Sequence, residues 1–125
     1  MNEDPLTASG ESLNFSVSDG PGYVVVSVAG EIDAGTEEQF RDALTSALSR
    51  GALRLVVDLA AVPFMASAGI GVLMGVRRVL ADEGGRLVLA SPHGEVAQVL
   101  SLTGVSQMIP VTASVTDALA GLGGA

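Results

Sequence analysis

Three β-rich runs, each followed by a segment of helical period, constrain this chain more than any other feature. Val24, Val25, Val26 and Val28 fall in residues 23–29; residues 53–59 read Leu-Arg-Leu-Val-Val-Asp-Leu, and residues 86–90 read Arg-Leu-Val-Leu-Ala. Residues 13–18 alternate apolar and polar, as a half-buried strand does, and the Asp19-Gly20-Pro21-Gly22 turn signal joins them to the first run as an antiparallel hairpin. Phe40, Leu44, Ala47 and Leu48 recur at helical spacing before Gly51, and Thr36 with Gln39 three residues on predicts a capping box at that helix's start. The density of apolar residues in 53–59 predicts a central, buried strand. A second helix is expected over residues 67–82, ended by Gly84-Gly85. A third is expected after Ser91-Pro92, with Pro at its first position and Val96, Val99, Leu100 and Leu102 patterning it up to Gly104. Met108 to Val111 reads as a short edge strand around Pro110, and Ser114 with Asp117 opens a last helix that frays into the glycines of 121–125. The order β-β-α-β-α-β-α-β-α predicts an α/β domain, with a mostly parallel sheet after the first hairpin.

That order has a consequence for function. If residues 23–29 and 53–59 are parallel strands, their carboxyl ends share one sheet edge, the edge at which open α/β sheets place their sites. The loops at 30–36 and 60–66 should then lie together, which makes the strand–loop–helix junction at residues 63–71 the expected functional centre. Ser67 stands where strand and loop give way to helix, so its hydroxyl is expected at or near the N-cap, where unpaired N–H groups and the helix dipole favour an anion. A phosphate on Ser67 would add about -1.5 to -2 charge without harming its own helix. The plain reading of such a serine is an ordinary cap, and position alone does not establish phosphorylation. On a helical wheel Val72, Leu73, Val76, Val79 and Leu80 form the core stripe. Ser67, Gly71, Met74 and Arg78 fall on the opposite face with Ile70 beside them, a candidate partner surface with exposed Ile70 and Met74. Gly69 and Gly71 would let another backbone approach closely.

Composition bounds the rest. The 125 residues suit one domain, and a hydrophobic content of 48% is ample for a core that needs no crosslinks. There is no Cys, which removes disulfides, thiol catalysis and Cys-based metal sites. The formal charge is -8, and all 6 basic residues are Arg. Such a chain repels nucleic acid and anionic lipid, and a partner offering a basic patch is expected. Residues 1–12 are polar, with no signal peptide, and residues 64–76 fall short of the roughly 20 a membrane helix needs, so no membrane insertion and a cytoplasmic location are expected.

The chain resembles the STAS domain of bacterial anti-sigma-factor antagonists over about residues 13–119. The resemblance is carried by Gly30-Glu31-Ile32-Asp33 followed by Thr36, by Val56-Val57-Asp58-Leu59, and by Phe64-Met65-Ala66-Ser67-Ala68-Gly69-Ile70-Gly71-Val72-Leu73. Gly85-Arg86-Leu87-Val88-Leu89 and Leu102-Thr103-Gly104-Val105 fit as well. It implies a single STAS domain at residues 13–120 between a flexible tail at 1–12 and a Gly-rich tail at 121–125. The implied sheet has four or five strands, with about four helices packed mainly on one face. It implies binding to an anti-sigma factor of GHKL-type ATPase fold that is also a serine kinase. The unphosphorylated form would release the sigma factor, phosphorylation of Ser67 would end that binding, and a PP2C-type phosphatase would restore it. Asp33 is then expected in the contact surface. With the helix face, the expected partner-binding set is Asp33, Thr36, Met65, Ser67, Gly69, Ile70, Gly71, Met74 and Arg78. The family usually carries Asp before the phosphorylated serine and Ser or Thr after it. Ala66 and Ala68 stand there instead, leaving Ser67 the only hydroxyl of the turn.

Other signals are read structurally. Gly69-x-Gly71 is no phosphate loop, because no Gly-Lys-Ser/Thr follows. His93, the only His, belongs to a helix start; Asp58 is expected to brace the loop below it. Glu31 and Asp33 lack an acid–base partner, and no nucleophile–base–orienter set can be assembled, so neither an enzyme nor a cofactor or metal site is expected. The alternative function is a STAS subunit of a transport, lipid-trafficking or larger signalling assembly that uses the same helix without a phosphorylation switch.

Overall fold

A computed structural model describes residues 12–123. Most of the expected N-terminal tail and the last two residues lie outside the described residues. The elements run β1 (Asn14–Gly20), β2 (Tyr23–Ala29), α1 (Glu37–Leu48), β3 (Arg54–Ala61), α2 (Ser67–Asp82), β4 (Arg86–Ala90), α3 (Gly94–Leu102), α4 (Val105–Met108), β5 (Val111–Thr112) and α5 (Val115–Gly123). The five strands form one sheet in the order β1-β2-β3-β4-β5. β1 is antiparallel to β2, and every later pair is parallel.

Each parallel crossover moves to the next strand in the same direction, so connectors of one hand collect on one face of the sheet. Val24, Val26, Val28, Leu55, Val57, Leu59, Leu87 and Leu89 pack there against Phe40, Leu44, Leu73, Val76, Leu80, Val96 and Leu100. The alternate residues Val25, Val56, Val88 and Ala90 meet Ala118 of α5 on the other face. No crossover follows β5, so α5 is free to fold back there. Burial of both faces accounts for the near-continuous apolar runs of β2 and β3; β1, at the edge, is largely exposed.

Local chemistry moves several expected boundaries. No side chain caps α1, whose N-cap is Thr36; the expected box of Thr36 with Gln39 is replaced by a bonded turn just before the helix. Asp33 N donates to Thr36 Oγ1 at 3.0 Å while Thr36 N donates to Asp33 Oδ1 at 3.1 Å, a reciprocal pair that fixes the chain's entry to the helix. Gln39 instead accepts from Leu13 N at 2.8 Å and holds the entry to β1. Pro92 stands before α3 rather than at its first position. Ser91, at φ 62, turns the chain so that its N–H reaches Thr112 O at 3.0 Å, and His93 takes the N-cap place. Met108 belongs to α4, a short helix begun by Gly104 at φ 82, so the last strand shrinks to Val111–Thr112. With α4 the described helices number five. α5 continues to Gly123, into the stretch expected to fray. Val79, placed in the core stripe by the wheel, is 49% exposed. The buried positions of α2 are Gly69, Val72, Leu73, Val76 and Leu80, a stripe turned slightly from the one drawn on the wheel.

Candidate functional site

The loops after β2 and β3 are joined by backbone bonds. Gly30 N donates to Ala61 O at 3.1 Å, Ile32 N to Phe64 O at 3.0 Å, and Ala66 N to Ile32 O at 2.8 Å. Ile32 and Met65 form a parallel bridge, extending the β2–β3 pairing past a register shift at Ser27/Ala29. Asp58 braces the start of the following loop as expected, its Oδ1 accepting from Ala60 N at 3.0 Å, and its Oδ2 also accepts from Ser27 Oγ at 3.2 Å beside that shift. The shared edge inferred from strand order is therefore a single zipped ledge carrying Asp33 on one side and the start of α2 on the other.

Asp33 is half-buried. Its Oδ1 is engaged by Gly35 N at 2.9 Å and by Thr36 N, while no hydrogen bond reaches Oδ2 among the described residues. Thr36 is 1% exposed, with its hydroxyl donating to Glu31 O at 2.9 Å. Met65 is buried in the main core and Gly69 lies on the buried face of α2. These are corrections to the expected contact set. The side chains of Thr36 and Met65 face inward and offer a partner nothing to touch. Gly69 serves an internal approach, because a Cβ there would meet Ile32 Cγ2 at 2.6 Å and Met65 Cγ at 2.8 Å. The ledge passes so close under α2 that only glycine fits.

Ser67 is the first residue of α2, one place inside the cap. The N-cap is Ala66, at φ -87 and ψ 173, and no side chain caps the helix. The Ser67 hydroxyl is exposed and makes no hydrogen bond among the described residues. An N-cap serine would have its oxygen turned onto the helix; this one is left pointing outward, available to an external group. Beyond it Gly71, Gly75 and Arg78 are exposed on the same side of the helix, while Ile70 and Met74 are half-buried and packed against the core. The expected Ile70–Met74 surface is thus a shallow apolar flank beside a nearly bare backbone strip.

The STAS-domain profile matches residues 14–118. The chain belongs to the STAS-domain family. An anti-sigma-B factor antagonist of Bacillus subtilis is 28% identical over 102 residues, covering 82% of this STAS protein and 93% of the relative. The crystal structure of an anti-sigma factor antagonist from Mycobacterium paratuberculosis matches with a TM-score of 0.82 at 31% identity, covering 89% of this chain and 94% of that one. The Bacillus cell fate determinant SpoIIAA, in its phosphorylated form, matches with a TM-score of 0.67 at 25% identity over 87% of this chain and 99% of that one.

In this STAS domain the geometry adds residues that the sequence reading did not select. Phe64, 38% exposed, lies on the ledge three residues before Ser67, and Glu31 is exposed beside Asp33. The signal for Phe64 was a large apolar residue next to Pro63 in a loop rather than in a strand. Gly75 extends the bare strip by one turn; a second glycine four residues after Gly71, outside any turn, was its signal. His93 Nε2 is 2.9 Å from Ala60 O, a structural contact across the edge. No helix among the described residues is long and apolar enough to cross a membrane.

Proposed function

We propose that this chain is an anti-sigma-factor antagonist. It binds an anti-sigma factor through the ledge and the outer strip of α2, and so frees the sigma factor. Asp33, Phe64, Ser67, Ile70, Gly71, Met74 and Arg78 form the contact, with Thr36, Met65 and Gly69 holding its shape from beneath. The partner is a GHKL-type serine kinase, Ser67 is its phosphoacceptor, and a PP2C-type phosphatase reverses the modification.

The observation that carries this reading is the exposed, unbonded hydroxyl of Ser67 at the start of α2, next to a ledge held by backbone bonds. A hydroxyl free of internal bonds can accept the γ-phosphoryl group of ATP, with ADP leaving and the hydroxyl proton released, without undoing any part of the fold. The product would place about -1.5 to -2 charge on open N–H groups of the helix start, which tolerate it. A partner seated against the same spot would instead meet an uncompensated anion and a larger side chain. The switch therefore acts on the interface and leaves the domain folded. Ala66 and Ala68 remove neighbouring groups that would compete for the hydroxyl, and they also remove a carboxylate that would orient it.

Co-expression with the anti-sigma factors of the source genome tests the binding. Wild type is expected to co-purify one of them, and Ser67→Asp and Met74→Asp to lose it. Retention of the partner by both variants would remove the proposed surface. Capture of a transport protein in its place would favour the transport-complex reading.

A further inference from the structure

The chain's cations are unevenly used. Arg41 pairs with Glu37, and Arg50 with Asp19 at 2.7 Å. Among the described residues Arg77, Arg78 and Arg86 have no ion pair. Arg77 and Arg78 line a groove of about 540 Å³ between the outer strip of α2 and Met108 of α4. Arg77 is held by its Nε, which donates to Met108 O at 3.0 Å, and its terminal guanidinium nitrogens make no hydrogen bond among the described residues. Met74 and Met108 supply the apolar flanks, and Met108 is 48% exposed. Gly71 and Gly75 form the floor; a Cβ at either would meet nothing within 4 Å. The fold itself therefore does not require glycine there, although glycine in a helix interior is less stable than Ala.

From this groove we infer that the middle of α2 takes an acidic amphipathic helix of the partner. Its carboxylates pair with Arg77 and Arg78, and its small apolar side chains lie on Gly71 and Gly75 between Met74 and Met108. The charge argument fixes the occupant. The chain as a whole carries -8, yet this strip concentrates unpaired guanidinium groups, and Asp82 at the groove's far end is the one carboxylate lining it. Bare helix backbone flanked by adaptable thioethers suits a helix laid in a groove, and planar guanidinium groups suit carboxylates. A second copy of the chain fits less well, since two chains of -8 repel each other. The inference rests on the reading of α2 as a partner surface, and it assigns to that surface an anchor separate from Ser67.

The test uses the full chain, labelled with nitrogen-15, and two synthetic peptides of about 16 residues, long enough to form helix. One peptide carries Glu on one helical face and Leu and Ala on the other; its control replaces each Glu by Lys. The acidic peptide is expected to shift the amides of Gly71 and Gly75 and the side-chain N–H of Arg77, and the Lys peptide to leave them in place. The double variant Arg77→Glu, Arg78→Glu should bind the acidic peptide at least tenfold more weakly. Gly75→Gln, which has space for its side chain and keeps the Arg77 bond, should do the same with a retained fold. Equal binding of the Lys peptide, unchanged affinity in both groove variants, or concentration-dependent shifts without peptide would overturn the inference. Unchanged capture of the anti-sigma factor by the Arg77→Glu, Arg78→Glu protein would also overturn it while leaving the Ser67 reading intact. Loss of capture in Ser67→Asp bears on Ser67 alone.

Discussion

Asp33 and Ser67 are both of cap-favouring type and are used differently. The carboxylate holds the turn before α1, through Thr36 N and Gly35 N, and the serine at the start of α2 bonds to nothing among the described residues. Removing each should therefore have unlike effects. Asp33→Ala is expected to destabilise the domain by about 1 kcal/mol, the usual net worth of a side-chain to backbone hydrogen bond. Ser67→Ala should stay within about 0.5 kcal/mol of wild type, as an exposed residue without partners does. Urea unfolding of both variants checks this; a larger loss at Ser67 would show that its hydroxyl bonds within the fold. The glycines divide in the same way. Gly69→Ala must push Ile32 or Met65 aside and should cost about 1–3 kcal/mol as an overpacked site. Gly71→Ala meets open space and should gain about 0.5–1 kcal/mol from helix propensity while weakening partner binding. A stabilised Gly71→Ala protein that binds its partner as wild type does would mean that nothing docks closely there.

Helix α2 begins without a side-chain cap because Ala66 occupies the N-cap in an extended conformation suited to Asp or Ser. Ala66→Asp should stabilise the domain by about 1 kcal/mol, read as a raised urea midpoint at unchanged slope. An unchanged midpoint would mean that backbone bonds from the ledge already satisfy this helix end. The same element shows what was legible beforehand. Strand order alone placed the two loops together, because parallel pairing dictates which ends share an edge, and the Ile32–Met65 bridge bears that out. Ser67 at a helix start was legible from the change of period. The phase of the buried stripe was not: Val79 and Val76 are equally apolar, and only the position of the sheet beneath decides which is covered. Nor was it legible that Thr36, at the N-cap position, turns its hydroxyl to Glu31 O instead of onto its helix, since that depends on Glu31 O lying within reach. Gly69 and Gly71 are alike in sequence, and only the closeness of the ledge separates them.

Taken whole, the molecule is an acidic body with a rigid ledge at one sheet edge and a basic groove further along the same helix. Cores on both sides of the sheet hold the ledge in place, so a change at Ser67 is expected to alter what binds without altering what is folded. Ser67→Asp should accordingly melt close to wild type while losing its partner; a melting point lowered along with binding would place the effect in the fold instead. The most direct measurement is the intact mass of the full chain after incubation with the captured anti-sigma factor, magnesium and ATP. Wild type is predicted to gain one phosphate, and Ser67→Ala to gain none. A phosphate that persists in Ser67→Ala, or a wild-type chain that binds the partner and gains nothing, would contradict the switch at Ser67.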